Sequence, residues 1–186
     1  MPKTERTFRI TNRRYLGSKT KLLSFIHETI DKENIIFDSF LDLFAGTGSV
    51  AESFNDGQHK IIVNDILECN RCSYNAFFGN QKINEKKLFQ LISELNNLSG
   101  SSENYFSDNF SDTFFSKVNC VKIGNIREKI DVLYAAKEIN DREKDYLITS
   151  LVYAMDHIAN TVGHYDAFRR GGDLTKQLIL LPHDVP

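Results

Sequence analysis

The chain has 186 residues, 41% hydrophobic and 26% charged, with 10 glycines and 3 prolines. That composition excludes a disordered, collagen-like or linker polypeptide, and the length can bury a sizeable core. The formal net charge is -2, but residues 1–22 carry seven basic side chains against one acid, a net of +6 that leaves -8 for the rest. A basic arm on an acidic body fits a phosphate-facing edge and equally a solvated terminus.

No apolar run reaches the roughly 18 residues that span a bilayer, and residues 1–30 lack the apolar stretch of a signal peptide, so a cytoplasmic protein without membrane contact is expected. Cys69, Cys72 and Cys120 are an odd, sparse set, which argues against a disulfide framework and for a reducing compartment. Cys69 and Cys72 form a CxxC, yet a zinc site wants about four ligands and no second pair exists, so no metal is assigned. Buried free thiols are the expectation.

In chain order, Leu22, Leu23, Phe25, Ile26 and Ile30 are spaced for a first helix that Ser18 is placed to cap. Residues 35–44 are apolar and aromatic and read as a buried strand. A small-residue turn over 45–48, a short helix over 49–54, a break at Asn55-Asp56-Gly57 and a second strand over 60–64 follow. Helices are predicted over 66–78 and 85–98, the latter with Leu88, Leu91, Ile92, Leu95 and Leu98 on one face. Residues 99–116 turn polar, with Phe106, Phe110, Phe114 and Phe115 interleaved. These rings either stack on bases or pin a long loop to the body, and the pin is favoured. Helices over 126–134 and 141–160 come next, the second predicted to be the longest element. A polar and aromatic loop over 161–170 then leads to an apolar run over 178–181. There is no internal repeat.

The informative cluster is Phe40-Leu41-Asp42-Leu43-Phe44-Ala45-Gly46-Thr47-Gly48-Ser49-Val50-Ala51, a strand running through a glycine turn into a helix. Gly46, Gly48 and Ala51 satisfy G-x-G-x-x-A, and Asp65 ends the next strand where ribose hydroxyls would lie. Alone, this pattern indicates an adenosine-containing cofactor without saying which. Asp42 separates the candidates. A dinucleotide would bring a diphosphate against its carboxylate, a repulsion of several kcal/mol at an effective dielectric near 20. S-adenosylmethionine has no phosphate and carries a sulfonium and an ammonium, so an acid there attracts it. The bland alternative makes Asp42 an incidental acid near a helix terminus.

Arg14-Tyr15-Leu16-Gly17-Ser18-Lys19, then Asp42-Leu43-Phe44-Ala45-Gly46-Thr47-Gly48, then Asn64-Asp65 occur in the order and spacing of a known family. On these blocks the chain resembles the amino-terminal half of Dam-type DNA adenine methyltransferases. The Arg-Arg-Tyr-x-Gly-Ser-Lys form, with Gly-His-Tyr-x-Ala-Phe later, is most similar to methylases that partner type IIS restriction enzymes. The resemblance covers roughly residues 13–170. It implies an α/β, Rossmann-like S-adenosylmethionine-dependent methyltransferase fold, its sheet incomplete, with a helical insertion. It implies S-adenosylmethionine as cofactor and double-stranded DNA as partner, in a restriction-modification system. Carried over by residue, Tyr15 and Lys19 lie against the cofactor, with Lys19 near its carboxylate; Asp42, Phe44, Gly46 and Gly48 line the methionyl side; Asp65 holds the ribose. The residue chemistry agrees: Lys19 offers a cation to a carboxylate, Asp42 an anion to an amine, and Tyr15 an apolar wall.

Such enzymes methylate the exocyclic amine of adenine after flipping it from the duplex. The family positions that amine with an Asp-Pro-Pro-Tyr block, whose Asp side chain and a Pro carbonyl accept its hydrogens while the Tyr stacks on the base. The prolines here are Pro2, Pro182 and Pro186, none adjacent, so the block is absent and no catalytic residue is assigned. Asp184-Val185-Pro186 is no degenerate remnant, because no aromatic follows. The expectation is either one half of a split enzyme whose partner supplies the catalytic strand, or the product of an interrupted gene. An unfinished sheet leaves an edge, so a second subunit or another copy is expected to pair along 178–181. The expected division is an S-adenosylmethionine-binding α/β part over 1–81, a helical insertion and candidate DNA-recognition segment over 82–170, and the start of a truncated catalytic part over 171–186.

Arg13, Arg14, Arg169 and Arg170 are the candidate phosphate ligands. His164 and Tyr165 either face the flipped base or the phosphates, or form a structural turn. Two competitors stand beside this reading. One is a nucleotide-binding Rossmann oxidoreductase using Gly46, Gly48 and Ala51, against which Asp42 speaks. The other is an inactive relic that binds only DNA or a partner.

Overall fold

The computed structural model describes residues 10, 13, 17–100 and 102–183; the predicted site residues Arg14 and Tyr15 lie outside the described residues. In chain order these residues form a 3-10 turn (Thr20–Leu22), α1 (Leu23–Lys32), β1 (Ser39–Asp42), α2 (Ser49–Ser53), β2 (Lys60–Val63), α3 (Glu68–Phe78), α4 (Glu85–Asn96), α5 (Tyr105–Phe110), α6 (Lys117–Ala135) and α7 (Asp141–Ile158). No helix among the described residues is long and apolar enough to cross a membrane.

β1 and β2 are parallel, with Phe40 opposite Ile61 and Asp42 opposite Val63. Side chains alternate across a strand, so Phe40 and Asp42 share one half-buried face while Leu41 and Ile62 point the other way, 55% and 40% exposed. Phe40 stacks on Phe54 at 4.3 Å, and His27 from α1 also stacks on Phe54, at 4.2 Å. The predicted buried strand over 35–44 is therefore only four residues long and covered on one face. Ile35 and Ile36 are exposed, because the described sheet offers nothing for the rest of the run to pair with. Ser18 does not cap α1: its hydroxyl meets Thr20 Oγ1 at 2.9 Å, and the 3-10 turn separates it from the helix.

The main core lies among α3, α4, α6 and α7. Leu88 and Leu95 of α4, Ile123, Ile126 and Ile130 of α6, and Leu147 of α7 are essentially fully buried there, at about 1.5–3 kcal/mol of hydrophobic stabilisation each. The α3 end facing α7 is closed by Arg142, whose guanidinium donates to the carbonyls of Ala76, Phe77 and Gln81, satisfying acceptors that a helix C-terminus leaves orphaned. α6 begins at Lys117, nine residues before the predicted start at 126, with the Ser116 hydroxyl accepting from the Asn119 backbone N–H. Its 19 residues exceed the 18 of α7, so α7 is not the longest element. The apolar periodicity failed there because Asn119, Lys122 and Gly124 interrupt the stripe.

The segment 99–116 contains α5, opened by a reciprocal cap between Asn104 and Ser107. Its phenylalanines pack as a pin: Phe106, Phe110 and Phe114 lie against the main core and Phe115 is buried within it. Residues 176–180 form no strand, and side chains satisfy one side of their backbone. Asn119 donates to the Lys176 carbonyl at 2.7 Å and accepts from Leu178 N–H at 3.1 Å, while Asn96 donates to and accepts from Leu180 at 2.9 and 2.8 Å. Two side-chain amides thus stand where a neighbouring strand would, and Leu178 and Leu180 are buried in the core. The edge carrying the Leu178 and Leu180 N–H groups is therefore already satisfied, while Ile179 between them is exposed.

Candidate functional site

The site forms where both strands end. Ala45 N–H donates to the Asn64 carbonyl at 3.0 Å, Asn64 N–H to the Asp42 backbone carbonyl at 3.0 Å, and the Asn64 side-chain amide to the Leu43 carbonyl at 2.9 Å. These bonds lock the loops after β1 and β2 together. The turn over 45–48 is buried and leads into α2. Gly46 and Gly48 have φ of 56° and 80°, the left-handed region that favours glycine. At Gly48 a Cβ would also stand 2.7 Å from Ile10 Cδ1 and 3.2 Å from the Tyr74 ring, so a side chain there would force Ile10 to shift.

Asp42 closes β1 with a carboxylate whose Oδ2 is buried and has no hydrogen-bond partner among the described residues. Burial pushes its pKa up, opposed chiefly by the nearby Lys19 charge. Lys19 itself donates to the Phe44 carbonyl at 3.1 Å. Charged side chains from the amino-terminal segment and the strand end therefore meet beside the glycine turn. Asp65 behaves oppositely. Burial alone would raise its pKa, but hydrogen bonds from Leu67 N–H, the Asn70 amide and Gly46 N–H outweigh it and hold the carboxyl below its ordinary value. The Ile66 N–H adds to these donors, so the carboxylate is held ionised and fixed in orientation at the end of β2. The turn at Asp65 also delays α3 to Glu68, two residues after the predicted start. Phe44 and Ile66 flank these acids, 75% and 97% exposed.

Several residues that hold this arrangement had no sequence signal. Tyr74 donates to the Gly46 carbonyl at 2.7 Å. Asn70, fully buried inside the CxxC, joins Arg13 to Asp65. The cysteines beside it serve packing and the guanidiniums: Cys69 Sγ lies 3.6 Å from Arg13 Nη2, and burial together with Asp145 pushes the Cys72 thiol up to about 12.

The candidate DNA residues divide. Arg13 is corrected: its side chain is only 9% exposed and pairs with Asp156 at 2.8 Å, with Nη1 on Asn70 at 2.6 Å, so its charge is spent inside the protein. Arg169 and Arg170 are exposed. His164 approaches Asp166 at 3.2 Å. Tyr165 donates to Asp156 Oδ1 at 3.0 Å and packs its ring toward Phe114 at 5.7 Å, a structural engagement of that loop. The loop is further fastened by Asn160, which donates to the carbonyls of Thr113 and Arg169.

Residues 15–185 match the D12 class N6 adenine-specific DNA methyltransferase family, and the chain belongs to that family. Among individual proteins it is similar to the modification methylase LlaI of Lactococcus lactis subsp. lactis, 32% identical over 167 residues that cover 83% of this chain and 27% of that protein. It is similar to the modification methylase StsI of Streptococcus sanguinis, 33% identical over 173 residues, covering 86% of this chain and 26% of the relative. With the type II methyltransferase M.NlaIII of Neisseria lactamica it shares 29% identity over 172 residues, 83% of this chain and 48% of the relative. The chain thus spans about a quarter of the first two and about half of the third. No solved structure gives a significant match.

Proposed function

We propose that this chain is the S-adenosylmethionine-binding portion of a site-specific DNA adenine methyltransferase of a restriction-modification system, with β1, the glycine turn and β2 opening a Rossmann-like sheet. The observation that carries the reading is the buried Oδ2 of Asp42 beside the turn, without a hydrogen-bond partner among the described residues. A desolvated anion is stabilised by a cation, and the sulfonium and ammonium of the donor are cations where a dinucleotide would offer phosphate. In this reading Asp42 and the backbone of Gly46 and Gly48 hold the methionyl part, Lys19 and Tyr15 attend its carboxylate side, and Asp65 accepts from the ribose. The exposed faces of Phe44 and Ile66 offer the adenine an apolar surface. The bound donor supplies an electrophilic methyl group for transfer to an amine.

Double-stranded DNA is the proposed partner, with Arg14, Arg169 and Arg170 as phosphate contacts and His164 nearby. The proposed division of labour keeps 1–81 for the donor, 82–170 for target recognition and 171–186 as the approach to the catalytic part. Since no Asp-Pro-Pro-Tyr block occurs in the 186 residues, transfer needs further strands, on the same or a second polypeptide, and the apolar side chains of Leu41, Leu43 and Ile62 are the surface assigned to them. A cytoplasmic site of action goes with such a role.

Isothermal titration with S-adenosylmethionine and, in parallel, NADH tests the reading. Saturable binding of the donor, lost in Asp42→Asn, is expected. Binding of NADH instead, or of DNA with neither cofactor, would transfer the chain to the oxidoreductase or relic class.

A further inference from the structure

Behind the proposed donor pocket runs a continuous line of polar side chains that crosses four segments of the chain. Tyr165, in the loop after α7, donates to Asp156 Oδ1 at 3.0 Å. The other oxygen of Asp156 accepts from Arg13 Nε at 2.8 Å, and Arg13 Nη1 donates to Asn70 Oδ1 at 2.6 Å. Asn70 Nδ2 donates to Asp65 Oδ1 at 3.0 Å, and Asp65 Oδ2 accepts from Gly46 N–H at 2.9 Å.

The polarity of this line is fixed by chemistry. A guanidinium only donates and a carboxylate only accepts. The amide between them must turn its oxygen to Arg13 and its nitrogen to Asp65, since the flipped amide would set donor against donor and acceptor against acceptor. Asn70 is fully buried, and the Arg13 and Asp156 side chains are 9% and 8% exposed, so water cannot substitute for these three; Tyr165, 45% exposed, is the solvent end of the line.

We infer that Asn70, oriented by the Arg13–Asp156 pair and tied through Tyr165 to the 161–170 loop, is a positioning residue that fixes the orientation in which the Asp65 carboxylate meets the ribose hydroxyls, making donor affinity depend on the seating of that loop. The inference rests on the donor reading above. Because coupling between two sites is reciprocal, whatever reseats the Tyr165 loop changes donor affinity, and the donor biases the loop.

The test is titration of the unaltered chain, Asn70→Ala, Tyr165→Phe and the double variant with S-adenosylmethionine and with its 2′,3′-dideoxy analogue, each variant checked by thermal melting. Removing one hydrogen bond in the line weakens binding of the hydroxylated ligand by about threefold for Tyr165→Phe and about tenfold for Asn70→Ala. The double variant is no weaker than Asn70→Ala, because the line is already cut. Neither substitution changes affinity for the dideoxy analogue. Equal losses on both ligands, additive losses, or unchanged affinity would overturn the inference while leaving the donor reading intact. Absence of binding by the unaltered chain overturns the donor reading and this inference with it. Tyr165→Phe keeps its ring beside Phe114, so the comparison stands even where Asn70→Ala does not fold.

Discussion

Tyr74 and Asp65 grip the two backbone groups of a single residue: the Tyr74 hydroxyl donates to the Gly46 carbonyl at 2.7 Å, and the Asp65 carboxylate accepts from the Gly46 N–H at 2.9 Å. Both grips come from outside the turn, one from α3 and one from the end of β2. The conformation that glycine permits is thereby made the only one available.

Tyr74→Phe leaves the ring in place and strands a buried carbonyl. The expected loss is about 1–3 kcal/mol of unfolding free energy, read by urea denaturation with an unchanged slope. A variant as stable as the parent would mean that water or another donor reaches Gly46.

Gly48→Ala and Gly57→Ala separate strain from collision. Both glycines have positive φ, 80° and 78°, but a Cβ at Gly48 meets Ile10 at 2.7 Å while one at Gly57 meets nothing within 4 Å. Gly57→Ala is expected to cost about 1–2 kcal/mol, and Gly48→Ala clearly more, with loss of donor binding. Equal melting temperatures for the two variants would refute this.

The two acids of the site give opposite pH signatures. Asp42 has a raised folded-state pKa, so the folded chain binds more protons and this group's contribution falls as pH climbs above its ordinary 3.8. Asp42→Asn should gain stability relative to the parent over that rise. Asp65 has a lowered pKa, so its contribution is present above the ordinary carboxylate range and is lost as pH falls through the folded value. Asp65→Asn should therefore lose most at neutral pH and converge with the parent in acid. Melting curves across the acid range read both signs at once.

Asn96→Asp and Asn119→Asp each keep an acceptor and remove the amide donor that holds the carbonyl of Leu180 or Lys176. Hydrogen exchange at the Leu178 and Leu180 amides should accelerate in the matching variant, with about 1–2 kcal/mol of stability lost. Unchanged protection would show that burial of the two leucines alone fixes the segment.

Arg169→Ala and Arg170→Ala should weaken DNA binding across sequences and lower the salt slope by about one each, without moving the melting temperature. Arg13→Ala should instead destabilise by about 3–5 kcal/mol, because Asp156 is left buried and uncompensated. A fluorescence-anisotropy salt titration beside a melt distinguishes the groups. Loss of DNA affinity in a stable Arg13→Ala variant would restore that residue to the phosphate contacts.

The glycine turn, the two strand ends and helices α3, α4 and α7 were legible in the sequence, and so was the family, through its ordered blocks. The signals are local: glycine where φ is positive, period 2 before a turn, period 3.6 along a buried face. A core formed by tertiary contact erased the local signal at α6, where Asn119 interrupts the stripe in order to hold residues 176–178. Charge was the least legible property. Arg13 and Arg170 are the same residue in similar basic surroundings, yet one is sealed against Asp156, far along the chain, and the other faces solvent. By itself the sequence determined which backbone could bend at Gly46 and Gly48 and which acid stood beside it. Only the tertiary structure decided which side chains hold that bend, because a buried hydrogen bond is made between partners that folding brings together from distant positions.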